Sequence, residues 1–368
     1  MKTSVKILLA VVAALVLVCG ALVWYVFAGV KTGAVPTVAK PAPLSQTTDA
    51  PQETPEVIDV GEAGAEPEQM PIYEEQAESE TIRNVLLVGT DSRTAGDGDA
   101  EGLSDSMMLV SFNRETGAVT MVSFLRDACV KRIGTKSYFY NKLNGAYKNG
   151  GVGELVNTLN LNFGLDIQDY VCVGYDGFSA LVDEIGGVDV PLTSDEAYYI
   201  NWRYCGLPQD APKDKRLHYL EQFGLPALEE GYEGQKVQHL NGGQALWYSR
   251  DRTSPSADGK KGSDNVRTDR QQTMLTLLYR KVREEMDLGK VTALIGFATG
   301  HVNTNLSVSA MGELASLVLG TDVQFVSARV PFSDAFHYGV SANGEDPAML
   351  YFDIETTAAR LHTLLYGE

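Results

Sequence analysis

The sequence of 368 residues has few of the features that mark the commonest kinds of site. Its four cysteines show no spacing typical of a disulfide framework or a metal site, and its five histidines show no metal-ligand spacing. It contains neither a P-loop nor a G-x-G-x-x-G motif, so nucleotide binding is not indicated. The net charge of −18 argues against general binding to nucleic acid, whose phosphates require a basic face. A local basic cleft stays open, because nearby charges rather than their sum set the local field.

One long apolar run is present, over residues 7–28. It exceeds the roughly 20 residues that a helix needs to cross a bilayer. Lys2 and Lys6 precede the run and Trp24 stands near its end, which predicts an anchor with a cytoplasmic N-terminus. A cleaved signal peptide, the alternative, has a shorter apolar core. We therefore expect residues 1–30 to form a cytoplasmic stub and a single membrane span.

The composition changes over residues 31–81. This segment is rich in Pro, Glu, Thr and Ala, and it has no Lys or Arg after Lys40. Such a segment buries too little apolar surface to offset the entropy of ordering the chain. The sequence predicts an acidic disordered tether here, followed by one extracellular domain over residues 82–368.

The region from residue 82 onward alternates apolar strands with helical stretches, which predicts an α/β fold with a mixed central sheet and helices on both faces. Long loops are predicted at 201–236 and 253–265. The predicted strands are 84–89, 106–112, 118–124, 170–175, 188–192 and 323–331. The predicted helices are 150–164, 176–187, 241–250, 268–286, 306–320 and 347–366.

Three local details sharpen this prediction. Gly164 is expected to end a helix, and Asp176 to cap the start of the next one. Cys172 is expected to be a buried strand residue, although a Cys172–Cys205 disulfide remains an alternative.

Two carboxylates follow or precede apolar strands at the point where each strand meets a loop. Asp91 follows "NVLLVGT" and Asp105 precedes "SMMLVSF". Strand ends are where α/β folds place their ligands, and two carboxylates on neighbouring strands can share a hard cation. In the alternative interpretation, Asp91 pairs with Arg93 and Asp105 caps a turn.

A set of cationic and amide side chains lies in stretches that are otherwise apolar or aromatic. Arginine's planar fork suits phosphate oxygens, and carboxylates that hold Mg²⁺ beside several arginines indicate a pyrophosphate site. Solvated surface charge is the alternative. The members of the set are Arg126, Lys142, Arg250, Arg252, Arg267, Arg270 and Gln271.

Large hydrophobic residues are abundant in "MMLVSF", "GFSALV" and "QQTMLTLLY". They indicate either a pocket for a lipid tail or an ordinary core.

Taken in order, these stretches resemble the LytR-CpsA-Psr family. The resemblance is carried by "LLVGTDSR", "SDSMMLVSF", "VTMVSFLRD", "KLNGAYKNGG", "VDEIGGVDV", "LNGGQALWYSRDR" and "RTDRQQ". It covers roughly Asn84 to Arg283. The resemblance implies a cell-wall ligase with an apolar lipid-binding tunnel between sheet and helices. Such a ligase moves an anionic glycopolymer from a polyprenyl pyrophosphate carrier to a peptidoglycan sugar hydroxyl, outside the membrane of a Gram-positive-type cell.

The resemblance also implies roles for single residues. Asp91 and Asp105 would hold Mg²⁺, with Mn²⁺ as the alternative ion. The sequence does not identify a general base: Asp127, beside Arg126, is a candidate, and a structural pair with Arg126 is the alternative. The predicted catalytic residues are Asp91, Asp105, Arg126, Arg250 and Arg252. The predicted pyrophosphate ligands are Arg93, Arg126, Lys142, Arg250, Arg252, Arg270 and Gln271.

The sequence departs from the family pattern in two places. Leu103 stands where members usually carry arginine, which removes one phosphate contact or ion pair. The loop Thr253–Val266 is long for the family and is expected to shape access for the acceptor. Its Lys260 and Lys261 either meet an anionic polymer or are solvated.

Two other functions stay open from the sequence. A lipid pyrophosphatase would use the same site with water as the acceptor. A non-catalytic regulator that binds the polyprenyl carrier would need the arginines but not the two carboxylates. The sequence does not identify the polymer.

Overall fold

The computed structural model describes residues 81–90, 104–133, 138–208, 211–286, 288–298, 300–320, 323–339 and 349–367. The described residues fall into two units. The sheet unit comprises residues 81–90, 104–173 and 303–367, and the helical unit is Gly174–Val302.

The elements are numbered along the chain. The strands are β1 (Ile82–Thr90), β2 (Ser104–Asn113), β3 (Ala118–Phe124), β4 (Cys129–Ile133), β5 (Tyr138–Lys142), β6 (Asp169–Val173), β7 (Val188–Thr193), β8 (Gln235–Leu240), β9 (Val302–Thr304), β10 (Gln324–Val330), β11 (Phe336–Gly339) and β12 (Met349–Phe352). The helices are α1 (Asn144–Phe163), α2 (Tyr175–Glu184), α3 (Ser194–Cys205), α4 (Lys213–Gln222), α5 (Gly242–Arg250), α6 (Asp264–Glu285), α7 (Leu288–Ala298), α8 (Val308–Gly320) and α9 (Ile354–Tyr366).

The central sheet has six strands in the order β10-β3-β2-β1-β6-β9. The pairs β1–β2 and β2–β3 are antiparallel, whereas β1–β6 and β3–β10 are parallel. The prediction of a mixed central sheet in an α/β fold is therefore confirmed.

One face of the sheet forms the main core of the sheet unit. Leu86 and Leu109 are fully buried there against α1 and α9, which contribute Leu159 and Leu361. Phe163 of α1 packs on Phe124 with ring centroids 5.4 Å apart. Alternation along each strand leaves every second side chain for the opposite face.

The opposite face carries its own buried apolar side chains. Arg83 points to this face, and its Nη1 lies 3.6 Å from Oε2 of Glu313 in α8. Helices thus accompany both faces, as predicted. The buried side chains on this face are Val85, Met108, Val110, Val119 and Met121.

Several predicted element ends are confirmed. Gly164 ends α1 with φ of 62°, and its N–H donates to the Asn160 carbonyl. Asn241 caps α5, because its side chain accepts from the Gln244 N–H. The predicted cap at Asp176 is wrong: Gly174 is the N-cap of α2, and Asp176 lies in the first turn, where its charge favours the helix dipole.

Two longer predictions also need correction. The segment 201–236 is not one loop, since it contains the end of α3, the whole of α4 and the start of β8. The apolar stretch at 349–352 is strand β12, paired with β11, and the final helix begins only after Asp353 caps it. The loop between α5 and α6 is present as predicted.

The three described cysteines, Cys129, Cys172 and Cys205, are buried free thiols, so the disulfide alternative is not borne out. Burial raises the pKa of the Cys129 and Cys172 thiols to about 12. A thiol needs its thiolate form to react, so both are expected to stay protonated and inert at pH 8.

We expect iodoacetamide to modify Cys129 and Cys172 only after denaturant is added, as measured by peptide mass spectrometry. Modification of either cysteine in the folded protein at pH 8 would contradict this burial.

No helix in the part of the chain that the structure describes is long and apolar enough to span a membrane. The predicted anchor at 7–28 lies outside the described residues, as does the predicted tether up to residue 80.

Candidate functional site

Register brings the charged side chains of the sheet unit together at one end of β2 and β3. Met107 pairs with Phe124, so Asp105 and Arg126 both lie two residues beyond that pair, on antiparallel neighbours. Arg126 Nη1 is 3.4 Å from Asp105 Oδ1. This distance is long for a charge-assisted hydrogen bond, so Asp105 is not tightly held by that contact.

Asp127 continues this cluster. Arg126 Nε lies 3.5 Å from Asp127 Oδ2, and Lys142 Nζ lies 2.9 Å from Asp127 Oδ1. Lys142 reaches this point because it pairs with Cys129, two residues after Asp127. With a cation beside each oxygen, Asp127 has the geometry of a structural ion pair rather than that of an unencumbered base.

Two residues of the predicted site, Asp91 and Arg93, lie outside the described residues, and so does Leu103, which departs from the family pattern. Within the described part of the chain, no three His, Cys, Asp or Glu side chains converge to hold a metal ion. The shared magnesium ion of Asp91 and Asp105 stays a prediction.

The helical unit holds the second cationic group. Helix α5 ends at Arg250, and Asp251 is extended with φ of −69° and ψ of 118°. The chain thus leaves helical geometry between Arg250 and Arg252, the condition under which residues at i and i+2 can turn to the same ligand. Arg250 is half-buried, with its guanidinium 3.9 Å from the ring centroid of Tyr175, and Arg252 is exposed.

Arg270 of α6 is buried among protein acceptors. Its Nε donates to Glu196 Oε1 at 2.8 Å, and its Nη1 donates to the Asp251 carbonyl at 2.8 Å. Its Nη2 donates to the carbonyls of Ser254 and Pro255 at 3.0 and 3.2 Å. Arg270 thus stabilises the segment that follows Arg250. Its contact with pyrophosphate stays a prediction, and the orientation of its side chain toward protein acceptors does not favour it.

The neighbours of Arg270 on α6 behave differently. Gln271 Nε2 donates to the Ser249 carbonyl at 3.3 Å, one residue before Arg250. Arg267 pairs with Asp264 one helical turn away at 3.0 Å. Gln271 therefore contacts the end of α5, whereas Arg267 contacts the first turn of its own helix, α6.

Two residues of this network were not predicted from the sequence. Glu196 completes the capping box of α3, whose N-cap is Thr193: one carboxylate oxygen accepts from the Thr193 N–H at 2.8 Å, and the other accepts from Arg270. Asp251 accepts from the N–H groups of Thr253 and Ser254 and thereby shapes the turn after Arg250. The Thr-x-x-Glu spacing at 193–196 is a capping-box signal that could have identified Glu196.

The loop between α5 and α6 borders an open polar cavity of about 460 Å³ in the helical unit. Ala257 is the member of the loop that lines it, together with residues near Asp195 and Tyr232. Lys260 is exposed, and its Nζ lies 2.7 Å from Oδ2 of Asp258. This position agrees with the interpretation of Lys260 as a solvated loop charge.

The fold and the charged cluster at the strand ends define an α/β protein with cationic groups suited to an anionic ligand. The family model LytR_cpsA_psr matches residues 54–356, and the chain belongs to this family.

Two curated relatives illustrate the range of the family. The chain is 29% identical over 229 residues to the polyisoprenyl-teichoic acid–peptidoglycan teichoic acid transferase TagV of Bacillus subtilis, covering 61% of this chain and 50% of TagV. It is 28% identical over 232 residues to Biofilm regulatory protein A of Streptococcus mutans, covering 62% of this chain and 50% of that protein. The chain thus spans about half the length of these relatives.

Solved structures share the fold. TagT of Bacillus subtilis bound to LIIa-WTA matches with a TM-score of 0.56 at 20% identity, over 81% of this chain and 96% of TagT. The same protein with bound octaprenyl pyrophosphate lipid matches with a TM-score of 0.52 at 21% identity, over 78% of this chain and 90% of that structure.

Proposed function

We propose that this protein is a phosphotransferase that moves an anionic glycopolymer from a polyprenyl pyrophosphate carrier to a peptidoglycan sugar hydroxyl. The hydroxyl oxygen attacks the phosphorus next to the polymer and releases its proton, a phosphodiester forms, and the pyrophosphate bond breaks so that prenyl phosphate leaves. The observation that carries this proposal is the unneutralised charge of Arg250 and Arg252. Among the described residues, no carboxylate lies within 4.0 Å of either guanidinium.

Family membership and the relatives support the proposal. TagV is named as a transferase of teichoic acid, and TagT has been solved with a polyprenyl pyrophosphate lipid. In such a phosphoryl transfer the protein mainly positions the reactants and offsets negative charge. Arg126, Lys142, Arg250, Arg252 and Gln271 are the described side chains that we assign to this task. The apolar residues on the α8 side of the sheet are the part of the described chain that we assign to the prenyl chain.

A magnesium ion suits the donor set in the sheet unit. Asp105 offers carboxylate oxygens, the ligands that Mg²⁺ prefers, and its side chain is 31% exposed. Asp91 is the second ligand in this proposal, and Mn²⁺ is the alternative ion. A bound ion would neutralise charge on the phosphate oxygens.

The proposal includes the location of the protein. We propose that residues 1–30 anchor it in the cell membrane with the N-terminus in the cytoplasm. Residues 31–81 would then tether an extracellular catalytic region, residues 82–368, to the outer face of a Gram-positive-type membrane. This arrangement gives the site access to a lipid-linked donor and to peptidoglycan, and no contact with nucleic acid.

The arginine pair provides the direct test. Truncating one partner of a desolvated ion pair typically costs about 2–5 kcal/mol. We expect Arg250→Ala to weaken binding of a prenyl pyrophosphate by about 30-fold or more, since 1.4 kcal/mol is a factor of ten. Arg252→Ala should weaken it less, because Arg252 is exposed. Equilibrium binding of a fluorescent prenyl pyrophosphate measures both effects.

Arg114→Ala is the matched control, because Arg114 is exposed in the turn after β2. It should bind the lipid as the unaltered protein does. Unchanged affinity in both Arg250→Ala and Arg252→Ala, with the fold intact, would rule out the proposed role of the pair.

A regulator that binds the carrier without catalysis is the second candidate, favoured by the likeness to Biofilm regulatory protein A. A lipid pyrophosphatase is the third, because water could take the place of the sugar hydroxyl in the same site. Release of prenyl phosphate distinguishes the three candidates. A transferase releases it only when the acceptor is present, and a pyrophosphatase releases it with or without acceptor. A regulator releases none under either condition.

A further inference from the structure

Two arginines of the helical unit share one tryptophan ring. The Cζ atom of Arg203 in α3 lies 4.2 Å from the ring centroid of Trp247, and that of Arg250 lies 5.0 Å from the same centroid. The two guanidinium groups are therefore at most about 9 Å apart. Each also contacts a second ring, Trp202 for Arg203 at 5.2 Å and Tyr175 for Arg250 at 3.9 Å.

The aromatic contacts hold these two cations without neutralising them. In the described part of the chain, no carboxylate lies within 4.0 Å of Arg203 or Arg250. The Nε of Arg203 is buried and has no hydrogen-bond acceptor among those residues. Like charges at this separation repel each other, and an unpaired buried donor is unfavourable. Local arrangements that oppose stability in this way are expected at functional sites.

The two arginines come from different helices and are ordered by the same ring. Contact with the aromatic rings limits the movement of both guanidinium groups before any ligand arrives, so less rotamer entropy is lost on binding. A guanidinium that is ordered on an aromatic face still has its N–H groups at the edge of its plane. Those edges match the oxygens of a phosphoryl group.

We propose that Arg203 and Arg250, ordered on Trp247, form a phosphoryl-binding pair that takes a phosphate group of the lipid-linked donor. This rests on the proposed function and adds Arg203, which lies outside the motifs of the family resemblance, to the residues that bind the donor. The phosphate has two sources in such a donor: the carrier pyrophosphate and the phosphodiesters of the polymer. Arg250 belongs to the "YSRDR" motif and Arg203 does not, so the pair extends the phosphate contacts of Arg250 to a second helix.

Three probes separate these sources. Inorganic pyrophosphate represents the carrier headgroup, a prenyl pyrophosphate disaccharide adds the lipid and sugar, and the same lipid extended with glycerol phosphate units adds polymer phosphates. We expect Arg203→Ala to weaken binding of the extended lipid about tenfold or more, because hydrogen bonds to charged groups are among the strong ones. KM for the extended donor should rise by a similar factor while kcat stays nearly constant.

Variants of the same site and a distant control complete the experiment. Arg203→Lys keeps the charge without the planar fork, so it should restore only part of the affinity. Arg280→Ala removes an exposed arginine of α6 and should change nothing. If Arg203→Ala does not fold, as judged by its thermal unfolding, Arg203→Gln repeats the test with part of the aliphatic chain and an uncharged polar end retained.

Each outcome has one meaning. A loss for the extended lipid alone assigns the pair to polymer phosphates, and an equal loss for all three probes assigns it to the carrier pyrophosphate. Unaltered affinity for every probe in a folded Arg203 variant overturns the inference, even if the unaltered protein binds and transfers the donor. Arg203-dependent binding of inorganic pyrophosphate in a protein that transfers no donor would instead uphold the pair and remove the proposed function.

Discussion

Asp105→Asn is expected to lower the rate of transfer from a prenyl pyrophosphate donor by about 100-fold or more, the usual effect of removing one preorganised electrostatic group. Asparagine keeps the shape of the side chain but loses the negative charge that would hold Mg²⁺. The fold should persist, because Asp105 is half-buried at the start of β2 and Arg126 keeps Asp127 as a partner. Transfer assays titrated with Mg²⁺ should show a higher metal requirement for the variant.

Asp214→Asn is the matched control, since Asp214 is exposed in α4 and distant in sequence from the cluster. The double variant at Asp91 and Asp105 should lose little more than the worse single variant, because residues that act as one unit are non-additive. Additive losses with an unchanged Mg²⁺ midpoint would favour the alternative in which Asp91 pairs with Arg93 and Asp105 caps a turn, each with an effect of about 1 kcal/mol on stability.

Arg270→Ala is expected to destabilise the protein by about 3–5 kcal/mol, the usual result of leaving buried carboxylates without their partner. Glu196 and Asp251 would both be affected, since Arg270 lies 2.8 Å from Glu196 Oε1 and 3.7 Å from Asp251 Oδ2. All three side chains are at least 94% buried. Urea unfolding of the variant, followed by circular dichroism, measures the loss.

Glu196→Gln tests the same network from the other side. It keeps the size of the side chain while removing the charge, so its loss should be smaller than that of Arg270→Ala. Arg280→Ala on the same helix should change stability by no more than about 0.5 kcal/mol, as surface substitutions do. A loss below 1 kcal/mol for Arg270→Ala would show that the network does not hold the segment after Arg250.

The sheet and its helices were predictable because their signals are local. Strands such as β1, β2 and β3 are continuous apolar runs bounded by polar turns, the expected pattern for strands that are buried on both faces. Gly164 and Asn241 mark helix ends through requirements of the backbone itself, a left-handed φ in one case and an unpaired N–H in the other. The order of the seven quoted motifs along the chain was enough to indicate the LytR-CpsA-Psr family.

Elements with polar anchors were missed for the opposite reason. Helix α4 has a mostly polar sequence, and hydropathy predicts a loop there. Its anchor is Arg216, which is buried and pairs with Glu230 at 3.1 Å. Strand β8 is largely exposed and exists through its pairing with β7. Both depend on partners far along the chain that hydropathy alone does not reveal.

The sequence by itself determined the α/β class, the main strands and which charged residue types gather near strand and helix ends. Only the tertiary structure decided what each charge does. Arg270 and Gln271 are neighbours in sequence, but one helical step of about 100° separates their directions, so Arg270 is buried on Glu196 while Gln271 reaches Ser249. Arg203 belongs to none of the motifs, and its place beside Arg250 follows from the packing of α3 against Trp247 of α5. Residue type is a property of the sequence, whereas a charge acquires a partner only when distant segments fold together.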